Sequence, residues 1–238
     1  MENEDLGRAI IEPNEPVIVG TSGSWNIIYI AGRKGIAVGG GIKVETPGIL
    51  GWSRPQITDA EAEGYVTVSC SNPKVSLICN IKRVIDEIYT DPVVFKNWTQ
   101  RVIEVKVLRA PLVEGDRIKI TFGDVRKGLG PGVRVTTKAL RRCKNKNTFL
   151  VWVDAEGKGE YHKLRNDPFI EVIPGKIKEI GIIVPSLTKP DEQFNIGIIP
   201  KDLFHNPVWN YNSTLEISLE RMDKKSKFSL KRLFPFNY

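Results

Sequence analysis

The chain carries only two imidazoles in 238 residues, His162 and His205, far apart in the sequence. Histidine is the usual proton carrier near neutral pH and the commonest metal ligand, so this count restricts the chemistry on offer. Neither histidine has a Cys, Asp or Glu at a spacing that reads as a ligand pair, and neither has a sequence-local carboxylate to orient it. No H-x-H, H-E-x-x-H, C-x-x-C, G-x-S-x-G or G-x-x-x-x-G-K-[ST] occurs. The residues therefore point to no catalytic, metal or cofactor site.

Three other groupings could recognise a ligand. Trp52, Arg54 and Tyr65 could form an aromatic platform for a sugar or base, with Arg54 stacking or donating hydrogen bonds. The competing reading is an ordered loop folded over one end of a β-sandwich and pinned by Trp52. Asp124 and Arg126 beside the Gly128–Gly132 loop could present a polar pocket, with Arg134 as an anion contact; a turn whose Asp and Arg pair locally is the plainer account. Those glycines, like Gly39-Gly40-Gly41, lack a following helix N-terminus to cradle phosphate and read as turns or bulges. Asp59, Glu61 and Glu63 alternate, but without calcium-loop spacing they read as a solvated acidic stretch.

The elements that would position these residues are strands. Turn signals separate short β-type runs throughout, the pattern of a sandwich or barrel. Arg8–Glu12 ends at Pro13, Val17–Val19 stops at Gly20, and Ser24–Ala31 puts Trp25, Ile27 and Tyr29 on one face. Ile42–Thr46 follows the three glycines. Tyr65–Ser69 and Val75–Ile78 are expected to form a hairpin closed at Ser71-Asn72-Pro73-Lys74. Such a hairpin places Cys70 and Cys79 about 13 Å apart, too far to bridge, so the three cysteines are expected to be reduced and structural. Arg101–Leu108 is the clearest period-2 segment, with Ile103, Val105 and Val107 alternating with Glu104 and Lys106, and Glu114-Gly115-Asp116 turns the chain into Ile118, Ile120 and Phe122. Val133–Thr137, Phe149–Val153 and Phe169–Ile173 complete the first part, with one helical turn expected at Asp91–Trp98 and a loop at Lys138–Lys146.

Pro174-Gly175-Lys176 reads as a junction, dividing residues 1–176 from 177–238. After it come Ile180–Val184, Phe194–Ile199 and Thr214–Leu219, with a polar turn at Asp202–Val208. The fold expected is all-β: an Ig-like or Greek-key β-sandwich followed by a partial second Ig-like segment. Half a sandwich leaves open edges, so self-association through 177–238 is expected, or packing on a partner.

The net charge is +7, and Arg221–Tyr238 alone holds six Lys/Arg against Asp223. Arg126–Arg165 holds eleven Lys/Arg against three acids, read as a solvated, mixed-charge loop region. No nucleic-acid motif accompanies either stretch, so nucleic acid is not an expected partner. The acidic start, Met1-Glu2-Asn3-Glu4-Asp5, has no apolar segment behind it, and no membrane-spanning run occurs; a cytoplasmic protein is expected.

In order, Leu6-Gly7-Arg8-Ala9, Pro13, Pro16-Val17, Tyr29-Ile30-Ala31-Gly32, Gly35-Ile36, Gly40–Val44, Trp52–Gln56, Tyr65–Val68, Glu114-Gly115-Asp116, Phe122–Arg126, Gly130–Arg134 and Pro174-Gly175 resemble the prokaryotic family catalogued as domain of unknown function 3604. Long members are similar in having an N-terminal β region followed by a PHP-like, metal-dependent hydrolase domain. The resemblance covers the β region alone and carries over no catalytic residue. It implies a non-catalytic scaffold or interaction module associated with such a hydrolase, its partner a protein or the missing catalytic domain. The alternative is a carbohydrate- or polyanion-binding module using Trp52, Arg54, Tyr65, Asp124, Arg126 and Arg134.

Overall fold

The computed structural model describes residues 3–47, 51–84, 100–125, 132–135, 146–187, 189, 192–209, 215–219 and 228–232. The expected helical turn at Asp91–Trp98, Arg126, the Gly128–Gly132 loop except Gly132, and Cys143 lie outside them, as does all of the expected Lys138–Lys146 loop except Lys146. The chain divides into two compact units, Met1–Ile173 and Pro174–Tyr238.

The first unit is an all-β sandwich. One sheet runs β1 (Arg8–Glu12), β4 (Trp25–Ile30), β9 (Arg117–Phe122), β6 (Val66–Cys70), antiparallel throughout. The other runs β13 (His162–Lys163), β12 (Leu150–Asp154), β5 (Gly41–Glu45), β8 (Gln100–Leu108), β7 (Ser76–Val84). Smaller ladders flank them: β11 (Lys146–Thr148) with β14 (Phe169–Ile173) and β2 (Val17–Ile18), and β10 (Val133–Arg134) with β3 (Ser22–Gly23). Alternation decides the core. Trp25, Ile27 and Tyr29 of β4 and Ile118, Ile120 and Phe122 of β9 are buried, as are Ile42, Val44, Ile103, Val105, Val107, Val151 and Val153 of the second sheet. Each such aliphatic or aromatic side chain contributes about 1.5–3 kcal/mol by leaving water.

One expectation is corrected. Val66–Cys70 and Ser76–Val84 are not a hairpin; β6 belongs to the first sheet and β7 to the second. Asn72 does make a turn, accepting from Lys74 N at 3.1 Å, but the turn carries the chain from sheet to sheet instead of reversing it. Beyond it, β7 pairs with β8, and β9 returns to pair with β6. The four strands are thus one long hairpin bent over both layers. Its corner is laced by Asn72 Nδ2 donating to Asp116 Oδ2 (2.9 Å), Arg117 N to Ser71 Oγ (2.8 Å) and Ser71 N to Arg117 O (2.9 Å). Between the pairs Cys70↔Ile118 and Ser76↔Leu108 one arm has five residues and the other nine. The longer arm takes the outside of the bend and raises the Glu114-Gly115 turn. Cys70 and Cys79 are free thiols, and burial pushes the Cys79 pKa up to about 11, so it is protonated at neutral pH.

A 3-10 turn at Asn3–Leu6 closes one end of this unit. The fully buried Tyr29 donates its hydroxyl to Leu6 O at 2.5 Å, and burial raises its pKa. Arg33 holds Asp5 at 2.6 Å from outside. Tyr29→Phe should cost about 1 kcal/mol, the value of a buried hydrogen bond, and should speed amide exchange at Lys34, whose N–H donates to Asp5 O. Unchanged exchange there would show that the hydroxyl does not secure the turn.

In the second unit, β15 (Ile177–Ile183) pairs with β16 (Gly197–Asp202), and β17 (Leu215–Leu219) with β18 (Phe228–Arg232), both antiparallel. The expected turn at Asp202–Val208 is organised by a carboxylate. Asp202 Oδ1 accepts from Phe204 N (2.9 Å) and Asn206 N (2.8 Å), and Oδ2 from Gly175 N (2.9 Å). Asn206 Nδ2 donates to both oxygens.

Candidate functional site

Five of the six residues chosen from sequence come together at one end of the sandwich. Trp52 bridges Val135, Ser53 N donates to Arg134 O (3.2 Å), and Arg134 N donates to Ser53 Oγ (3.0 Å). Tyr65 O accepts from both Gly123 N (2.8 Å) and Asp124 N (3.0 Å). The convergence follows from the strands: β6, β9 and β10 all begin or end here.

The platform reading of Trp52 is overturned by burial. The indole is 3% exposed and packs edge-on to Trp25 (centroids 4.9 Å) and Phe149 (5.2 Å), with its plane stacked toward Phe122 (6.3 Å). Its Nε1 donates to the buried Asn147 Oδ1 at 2.9 Å. A stacking ligand needs an open ring face, and this ring has given its faces to the core. Trp52 pins the loop. Arg54 is exposed and Tyr65 half-buried.

Arg134 does not stand free for an anion. Its Nη2 lies 3.2 Å from Glu63 Oε1, while Ser53 Oγ donates to Glu63 Oε2 at 2.9 Å. An incoming anion would have to displace Glu63, which sets a charge-for-charge competition at a half-exposed position. The buried Asp124 carboxylate accepts from the Thr67 hydroxyl. The acidic stretch is held by Gln56, whose Oε1 accepts from Thr58 N and Asp59 N (both 2.9 Å), and Asp59 Oδ1 accepts from Glu61 N (2.9 Å). Glu63 faces Arg134 instead of joining Asp59 and Glu61. Among the described residues no group of three or more His, Cys, Asp or Glu gathers to hold a metal ion.

A second polar constellation lies on the five-stranded sheet, and sequence reasoning missed it. Glu104 is 3% exposed, yet it carries a carboxyl group and sits on β8 beneath amines from neighbouring strands. Lys82 Nζ reaches it at 2.7 and 2.8 Å, Lys43 Nζ at 3.9 Å, and the Tyr161 hydroxyl at 3.4 Å. Lys43 Nζ also rests 3.7 Å from the Tyr161 ring centroid. Lys106 Nζ donates to Gly39 O (3.1 Å) and faces Asp154 at 3.7 Å. Burial lowers the Lys43 pKa; Glu104 opposes that, and Lys82 and Lys106 add to it. Burial likewise raises the Tyr161 pKa. The alternation Glu104-Val105-Lys106 was the available signal. It placed these groups on the outer face but could not show Tyr161 folding across them.

The histidines are apart. His162 is exposed on β13. His205, in its turn, has Nδ1 2.8 Å from Glu179 Oε1, which Lys201 also approaches at 3.4 Å. The Glu179 carboxyl is held below its ordinary range, chiefly by the His205 hydrogen bond. Both contacts to Glu179 lie at the surface.

Among the described residues no helix is long and apolar enough to cross a membrane. Compared with family models, curated proteins and solved structures, the chain finds no match in any of the three.

Proposed function

We propose that the chain is a non-catalytic β-sandwich scaffold and interaction module, the N-terminal part of a protein associated with a PHP-like hydrolase, as the family resemblance implies. Its second unit is read as an incomplete Ig-like segment that docks a protein partner. The supporting observation is the β15–β16 hairpin. Ile182 and Ile183 are adjacent, so they point to opposite faces, and they are 60% and 59% exposed. Val184 and Leu187 continue the apolar surface, and Leu187 is 89% exposed. Among the described residues each of these two strands forms a ladder only with the other. A two-stranded hairpin is marginal in water by itself, and open apolar strands recruit further strands.

The purified chain should therefore self-associate, with a weight-average mass that rises with concentration in sedimentation or light scattering. Ile182→Lys together with Ile183→Lys should return it to a monomer with the first unit's melting transition unchanged. A monodisperse wild-type monomer at all concentrations overturns this reading. The alternative, carbohydrate or polyanion binding around Trp52, loses its platform to the core and its Arg134 contact to Glu63.

A further inference from the structure

A cleft of about 560 Å³ opens where four separated segments meet. Gly7-Arg8 enters β1, Ile30 to Gly32 leaves β4, Glu114-Gly115 is the raised turn of the bent hairpin, and Arg165-Asn166 joins β13 to β14. Three of these segments were singled out in the sequence for reasons that neither the loop cluster nor the exposed hairpin has used.

The walls are fixed by backbone hydrogen bonds. Gly115 N donates to Ala31 O (3.0 Å) and Ala31 N to Asp116 O (2.9 Å), while Asp116 Oδ2 accepts from Val113 N (3.0 Å). Close packing accounts for two of the glycines: a Cβ on Gly7 would run into the Ile30 carbonyl, and one on Gly32 into the Gly7 amide nitrogen. Packing does not account for the charged side chains. Arg8 and Arg165 are both exposed at this cleft, and among the described residues neither makes an ion pair or hydrogen bond through its side chain. Close by, Arg33 is paired with Asp5 at 2.6 Å. Glu114, also exposed at the rim, pairs with neither arginine.

We infer that this cleft binds a small ligand bearing a phosphate or carboxylate, which Arg8 and Arg165 clamp. Guanidinium groups present forked donors that match either anion, and two on one cleft give both charge and orientation. Glu114 then accepts from a hydroxyl or ammonium on the same ligand, and Asn166 supplies an uncharged polar contact. The volume falls within the range of about 300–1,000 Å³ occupied by small-molecule sites. This inference is independent of the docking role proposed for the second unit.

The test titrates the full ¹⁵N-labelled chain with sodium phosphate, sodium acetate and sodium chloride at constant ionic strength, following the Gly7, Gly32 and Gly115 amides. Saturable shifts with phosphate, acetate or both are expected, chloride producing none, and the anion that saturates identifies the headgroup. Arg165→Gln and Arg8→Gln should each weaken binding at least tenfold, with circular dichroism and melting unchanged. Arg117→Gln, whose side chain does not line the cleft, should leave it unaltered. Linear, unsaturated shifts overturn the inference, as does an equal response in wild type and Arg165→Gln, or an equal loss in Arg117→Gln. Any of these would mean that ions merely screen a solvated surface.

Discussion

Trp52→Ala lowers the stability of the first unit by about 3–5 kcal/mol, the loss typical of truncating a buried tryptophan. The indole fills the space among Trp25, Phe122 and Phe149, and alanine leaves that space unfilled. Urea unfolding followed by tryptophan fluorescence and circular dichroism would show the midpoint fall. Trp52→Phe should recover most of the packing and lose only the hydrogen bond to Asn147, worth about 1 kcal/mol. A ligand platform behaves in the opposite way: its alanine variant folds normally and fails only in binding. A Trp52→Ala protein of wild-type stability would therefore remove the indole from the core.

Asp202→Ala should be the most damaging change in the second unit. The carboxylate is 1% exposed and collects backbone donors from Gly175, Phe204 and Asn206. Removing it orphans several donors at once, and the expected cost is about 3 kcal/mol, since each unsatisfied buried group costs roughly 1–3 kcal/mol and some will reach water. Because the chain has two units, the loss should appear in one melting transition and spare the other. The same carboxyl gives a pH dependence. Burial alone would raise its pKa, but the hydrogen bonds from Asn206, Gly175 and Phe204 outweigh burial and lower it. Its contribution is then complete above the unfolded value of about 3.9 and is lost as the pH falls through the lower folded value. Amide exchange at Phe204 and Asn206, followed downward through that range, should accelerate in wild type. A protection profile without such a step would show that Asp202 does not hold the turn.

Much of the fold was legible because strand burial has a period of two. Trp25, Ile27 and Tyr29, and again Ile118, Ile120 and Phe122, needed no tertiary information to be placed in a core. Strand limits followed: Arg8–Glu12 is β1 to the residue. What stayed hidden was pairing over distance. The Asn72 turn is readable in sequence, but nothing local says that β6 pairs with residues near 120 while β7 crosses to the other sheet. Glu104 was legible as outward-facing, but not as covered, because its cover, Tyr161, arrives from another loop. Trp52 was ambiguous for the same reason: a tryptophan in a loop reads alike whether it serves a ligand or the core. The two-residue strand β3 is too short to show any period, and β18 lies in a stretch whose basic residues masked its alternation. The gathering of Arg8, Glu114 and Arg165 is again a product of topology.

The bent hairpin also bears on the order of assembly. Its ladders nest, from Val84↔Gln100 outward to Ser76↔Leu108, then Cys70↔Ile118 and Val66↔Phe122. Each new pair closes only a short additional loop on the one before, and loop-closure entropy grows slowly with length. The β5–β12 ladder, by contrast, joins Glu45 to Leu150 across most of the unit. A zipper that starts in the second layer and crosses the corner delivers paired strands to both layers before that long loop must close. The slow step of folding then falls on these long-range closures, above all on β14 finding β2, where Val172 meets Val17 at the greatest sequence separation of the described ladders.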